Sequence, residues 1–371
     1  MEKPATAAAC ITLIPQKRLD IIDVSQQMVE DLHARFAGFP RLLCCSLHTT
    51  AGYLHEQLAT KLGPDRESVS AYVRSAQRLF PEGAPYWHDQ MHLRNELSEE
   101  QRKQEPLNAD SHLAYICLGL ANCVTYRNNP AAPIHFIDLD GKFNGSTRSR
   151  KSWIVGYDAT DCIHESVVDI PIPKKHVQAI SLTGTATNLL TPVEQLVRQH
   201  KLSRGLVTID LEDNEKHAGL TVNEFETLLV EKDLTTALLD PLKYVVRNSP
   251  KLLRDPLSLP SRAQQFLTAE LKRIVPEVLN TASRNVSRLE YIVERLGFHL
   301  HFLEYIIDRL AAPSETRWMN LGRHINLLVN SETENGPGRV HLGTYQSPIL
   351  IQWRHPEQSV RRLVVRLHRF C

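Results

Sequence analysis

"RLLCCSLHTTAGYLHEQ" (residues 41–57) and "GLVTIDLEDNEKHAGLTVNEFE" (residues 205–226) have the same layout. Each opens on an apolar, strand-like run, turns polar, passes an Ala-Gly corner and ends in a helix-ready polar stretch. Matching Ala51-Gly52 to Ala218-Gly219 sets His48 opposite Glu215 and Glu56 opposite Asn223. Further along, "DSHLAYICLG" matches "PSETRWMNLG", which sets His112 opposite Glu315, and "NGSTRS" matches "LGTYQS". The order is the same in both halves, which is the signature of a tandem duplication.

Outward from these stretches, "ACITLIP", "LDIIDV", "NCVTYR", "IHFIDLDG", "SWIVGYD" and "SVVDIPIP" read as strands of the first half, each bounded by turn residues. "DVSQQMVEDLHARFAG" reads as one helix, capped by Asp23 or Ser25, with Met28, Val29, Leu32 and Phe36 on one face. "RESVSAYVRSAQRLFP" reads as a second, stopped by Pro81. In the second half "VQAISLTG" and the closing runs "GRVHLGTYQSPILIQWRHP" and "RRLVVRLHRF" read as strands, "TPVEQLVRQHKL" as a helix. Trp318, Tyr345 and Trp353 are expected to pack its core. From about residue 236 to 312 the pattern is helical, with Leu289, Ile292, Val293, Leu296 and Leu300 near 3.6-residue spacing. The class is α+β: two β-rich repeats, 9–173 and 174–371, the second carrying a helical insertion.

Composition bounds the function. Lys+Arg is 43 against Asp+Glu 42, a formal net charge of +1, so no global field recruits nucleic acid or an anionic membrane. No stretch approaches the roughly 18 apolar residues of a membrane span. Seven cysteines, an odd number without CxxC, read as reduced and mostly buried thiols of a cytoplasmic protein. Cys44 and Cys45, adjacent on a strand, point to opposite faces, so at most one shares the face of His48. There is no GxxxxGK(S/T) phosphate loop.

"LHTTAG", "LFPEGAPYWHD", "NADSHL" followed by "LG", and "GRVHLGTYQSPILIQW" resemble the motifs of the YjbQ family, the secondary thiamine-phosphate synthase family. The resemblance covers residues 9–235 and 312–371 and leaves out the helical segment. It implies a compact β-rich fold, a homo-oligomer (trimers in single-copy members) and a small-molecule site. The motifs are divided: the first half keeps His48, Thr49, Thr50, His88, Asp89, Asn108 and His112, the second keeps Asn223, Glu224, Asp233 and Gln346.

Three histidines with an open position are a layout for catalytic zinc. With the family resemblance, His48, His88 and His112 are the expected divalent-metal ligands or, without a metal, an acid/base histidine cluster, and with Asp89 they are the expected catalytic groups. Asp89 or Asn108 would orient a ring nitrogen. Thr49 and Thr50 either hold a substrate group or back an ordinary turn. Arg148, in "GKFNGSTRSRK", either grips a phosphate or sits at a solvated hairpin tip. Asn223, Glu224 and Gln346 complete the substrate contacts, together with Asn108. His299 and His301, two apart on a helix, point away from each other and form no ligand pair. The expected function is a metal-assisted enzyme acting on a small anionic or phosphorylated molecule, thiamine-phosphate-synthase-like or a step of a specialised pathway. The alternative is a non-catalytic scaffold that binds protein through the inserted helices.

Overall fold

The structure, a computed structural model, describes residues 5–28, 30–63, 65–184, 187–239, 319–331, 336–355 and 357–371. Most of the expected helical insertion, with His299, His301, Glu315 and Trp318, lies outside the described residues.

The first half supplies β1 (Thr6–Leu13), β2 (Asp20–Asp23), β3 (Arg41–Ser46), β4 (Ala51–Tyr53), β5 (Cys123–Arg127), β6 (His135–Asp138), a small hairpin of β7 (Lys142–Phe143) and β8 (Ser146–Thr147), and β9 (Arg150–Tyr157). Next come β10 (Thr160–Pro171), β11 (Val177–Ser181), β12 (Gly205–Leu211), β13 (Ala218–Asn223), β14 (His324–Asn330), β15 (Arg339–Val340), β16 (Ser347–Trp353) and β17 (Val360–Phe370). Helices α1 (Val24–Gln27), α2 (Glu30–Phe36), α3 (Glu56–Leu62), α4 (Arg66–Leu79), α5 (Glu99–Gln104) and α6 (Ala109–Leu118) belong to the first half. Helix α7 (Leu190–Gln199), a π-helical turn (Leu229–Leu234) and α8 (Thr235–Leu239) belong to the second.

The antiparallel sheets repeat. One half forms β1-β9-β3-β5 and β2-β6-β4; the other forms β10-β17-β12-β14, edged by β15, and β11-β16-β13. With the short β7, β8 and β15 set aside, each strand of one half holds the sheet position of its counterpart in the other. Strand β10 pairs with β17 along its whole length, Thr160 opposite Phe370 to Pro171 opposite Val360. It therefore stands in one sheet with β17, β12 and β14.

Four apolar clusters explain the continuous apolar runs. Leu42 and Cys44 of β3 pack with Phe136 of β6, between the two sheets of the first half. Leu43 and Cys45 face the other way and meet Leu206, Leu328 and Phe370, so the larger sheets of the two halves pack back to back. Likewise Phe136 and Ile137 of β6 fall in different clusters; Ile137 meets Val73, Leu113, Leu229 and Ile349. Sheets covered on both faces give strands without polar alternation.

Two expectations are corrected. The single helix over 23–38 is two short ones: Met28 takes an extended ψ of 122°, which ends α1 after one turn. That turn still buries Met28 with Val24 and Phe36. Tyr345 is 70 % exposed, whereas Trp353 is buried as expected. The cysteines are free and mostly buried, as expected: Cys44, Cys45, Cys117 and Cys123 are buried, and Cys10, Cys162 and Cys371 are exposed. Among the described residues, no helix is long and apolar enough to cross a membrane.

Candidate functional site

Helix α4 starts at Asp65, whose carboxylate accepts from the Ser68 backbone N–H at 2.7 Å. It ends at Phe80, before Pro81. The chain then runs over Tyr86, whose hydroxyl donates to the Pro81 carbonyl at 2.9 Å. At the next residues the second half takes hold: Asp233, in the π-helical turn, accepts the backbone N–H groups of Trp87 at 3.0 Å and His88 at 2.9 Å. Burial raises Asp233 to about 6, against the pull of those two donors. This carboxylate anchors the backbone that carries the buried His88.

His88 Nδ1 faces Asp89 Oδ1 at 2.9 Å. The same oxygen accepts the Ala109 N–H at 3.1 Å, in the first turn of α6. Asp89 therefore caps α6 from a distance, where the N-cap residue Asn108 makes no capping bond of its own. Asn108 instead donates to Asp140 at 2.7 Å. All ten residues of α6 are buried, and His112, one turn in, is drawn inside with them.

His112 Nδ1 lies 2.7 Å from Asn223 Oδ1, which also accepts the Glu224 backbone N–H at 2.7 Å. An atom that takes an amide proton is an acceptor, so His112 carries its proton on Nδ1 and a lone pair on Nε2. That Nε2 is buried without a hydrogen-bond partner. It stands 3.4 Å from Glu224 Oε2, two acceptors facing each other. Ligand atoms of His88, His112 and Glu224 all lie within 4.8 Å of one another. Tetrahedral ligands held about 2.1 Å from a zinc ion stand roughly 3.4 Å apart, the separation of His112 Nε2 and Glu224 Oε2, so the donor set is of a type and spacing that suits a divalent ion.

Charges reinforce the arrangement. Burial, then the neighbouring His88, lowers His112 to about 3, so it is neutral. For His88 burial pulls the other way, but its bond to Asp89 and the Glu224 charge prevail and raise it. Burial raises Glu224, with His88 and Arg94 opposing. Arg94, only 3 % exposed, places Nη1 3.3 Å from His88 Nε2 and its head among Glu96, Glu105, Glu224 and Glu226. Two imidazoles with opposed proton affinities and a carboxylate beside them are equipment for holding a cation or moving a proton.

His88, Asp89, His112, Asn223 and Glu224 thus come together, from both halves of the chain. His48 is not part of this group. Its Nε2 accepts the Lys151 N–H at 2.8 Å, which uses the lone pair a metal would need. Gln346 donates to the carbonyls of Ser46 at 3.1 Å and His48 at 2.9 Å, so it clamps the corner and not a ligand. Thr50 is buried and its carbonyl accepts from Leu139; Thr49 stands at the same corner, half-buried. Asn108 does not orient His112, because Asn223 does. Arg148 follows the β7–β8 hairpin and pairs with Asp140 at 3.0 Å. Arg150 forks onto Asp138 at 2.7 and 2.8 Å. Sequence reasoning left Arg94, Glu105 and Glu226 unassigned. Arg94 sits six residues after His88, a separation that no helical or strand periodicity makes conspicuous.

Neither the protein-family models nor the curated proteins contain a match to this chain. Among solved structures it is similar to a YbjQ-like protein of unknown function from Sulfolobus solfataricus, at TM-score 0.30 and 16 % identity over 57 % of this chain and 99 % of that one. A hypothetical protein from Aeropyrum pernix gives TM-score 0.24 and 16 % identity over 55 % of this chain and 96 % of its own. An uncharacterized conserved protein of the YjbQ family from Clostridium acetobutylicum gives TM-score 0.23 and 16 % identity over 55 % and 99 %.

Proposed function

We propose that this chain is a metal-assisted enzyme acting on a small anionic molecule at one site built from both halves. The observation that carries this reading is the buried, unpartnered Nε2 of His112 facing Glu224 Oε2 at 3.4 Å. Left empty, that pair is costly; a divalent ion removes the cost. His88, His112 and Glu224 would hold the ion, with Asp89 and Asn223 fixing the two rings. A bound ion supplies Lewis-acid stabilisation of negative charge developing on a phosphate or carboxylate oxygen. The chain's own groups bind and orient around it. A transfer of the thiamine-phosphate-synthase kind, a pyrimidine diphosphate joined to a thiazole phosphate, is the reaction that the motif resemblance favours.

The same reading takes the molecule as a diverged YjbQ-like tandem duplication. Matching strand orders support it. So do the two Ala-Gly corners: the residue after each glycine forms an isolated bridge, Tyr53 with Ala121 and Leu220 with Gly322. Glu215, the counterpart of His48, is held in a 3.2 Å ion pair with Arg361, so the position that carries a histidine in the first corner carries a paired carboxylate in the second.

Metal content of the purified protein tests the enzyme reading. Stoichiometric metal is expected in the wild type and in His48→Ala. None is expected in His112→Ala or Glu224→Gln, and binding about 10–100-fold weaker in Asn223→Leu, which unfixes the His112 ring. Equal, negligible metal in all of them sinks it.

A further inference from the structure

Arg94 stands where an ion would have to bind. His88 presents Nδ1 to Asp89 at 2.9 Å, so Nε2 is the nitrogen it has left for an ion. Arg94 Nη1 is 3.3 Å from that Nε2, and Arg94 Nη2 is 3.9 Å from Glu224 Oε1. The guanidinium therefore faces two of the three candidate ligands. A neutral imidazole nitrogen has one lone pair, which either accepts an N–H or binds an ion. Two cations this close also repel strongly where water is sparse.

We propose that Arg94 is a resident cation of the site, which competes with the metal ion for His88 Nε2 and Glu224 and so sets the affinity for metal. The inference rests on the metal reading above. Removal of the guanidinium from His88 leaves it other partners: Glu96 at 2.6 Å, Glu105 at 3.5 Å and Glu226 at 4.0 Å. The arginine can therefore yield the histidine without losing all its counter-charge, and a full unfolding of the loop is not required. This arrangement differs from a structural arginine that merely holds ligands in place. A holder strengthens metal binding and its loss weakens it; a competitor does the reverse.

The test is zinc affinity of the full chain, measured by competition with a chromophoric chelator. Arg94→Met is expected to bind zinc at least about tenfold tighter than wild type, within the usual range for coupling between two bound species. Arg94→Lys keeps a cation in the cage but loses the planar fork, and is expected to fall between the two. If the methionine variant does not fold, the lysine variant decides: tighter binding than wild type supports the proposal. Zinc bound equally or more weakly by the variants overturns it while leaving the metal site standing. Zinc bound by none of the proteins overturns both. Zinc bound by Arg94→Met and not at all by the wild type overturns the metal reading for the native chain, and with it the claim that the arginine tunes a metal site in use.

Discussion

At the scale of single residues, proton placement separates the two kinds of histidine in this molecule. His112 keeps a free lone pair because Asn223 takes its Nδ1 proton; His48 gives its lone pair to the Lys151 amide. Burial, aided by the Arg150 and Arg148 charges, lowers His48 to about 4 from an ordinary 6.5. The sign of its pH effect follows. Between those values the unfolded chain binds the proton and the folded chain does not. The stability due to a neutral His48 is whole above pH 6.5 and is lost as pH falls towards 4, at most about 3 kcal/mol. Urea titrations at pH 7 and pH 4.5 are expected to show a smaller loss in His48→Gln than in the wild type; equal losses would remove His48 from the account. Residue types were legible here: the sequence singled out His88, Asp89, His112, Asn223 and Glu224. Their partners were not, because which nitrogen carries the proton depends on what the fold places against it. Pattern alone therefore does not separate His48 from His88 and His112, nor does it mark Arg94.

At the scale of elements, the corners matter more than the strands. The "LGTYQ" turn docks on the end of β3, with Gln346 holding two carbonyls there. A Cβ on Gly343 would run into the Leu47 carbonyl oxygen, which is backbone and has little room to give. Gly343→Ala is expected to cost at least about 2 kcal/mol in denaturant midpoint measurements, from overpacking. An unchanged midpoint would mean that the turn does not dock as described. Elements with strong local signals were readable: α4, with its Asp65 cap and proline stop, spans the residues its periodicity indicates. The break at Met28 was not, since an amphipathic pattern continues through it and only the packing against the first sheet divides it. Strand β10 has a readable strand pattern, but its pairing with β17 is not legible there, because pairing partners leave no mark on a strand's own pattern.

At the scale of the whole molecule, the halves share cores. One cluster joins Val73 and Leu113 to Leu229, Ile349 and Trp353; another joins Leu43 and Val155 to Leu206 and Phe370. Asn320 donates to the Cys117 carbonyl at 2.6 Å across the same boundary. Differential scanning calorimetry is therefore expected to show one main transition, with calorimetric and van't Hoff enthalpies in agreement. Two well-separated peaks would mean that the shared cores do not couple the halves. The sequence by itself determined the α+β class, the strand-like runs, the order of motifs in the two halves and the residue types of the site, because these depend on local propensity and pattern. The tertiary structure alone decided which strands pair and which faces are buried. It also decided that Glu224, and not His48, stands beside His88 and His112, with Arg94 among them. Those are consequences of packing one half against the other, where residues more than a hundred positions apart are brought within hydrogen-bond distance.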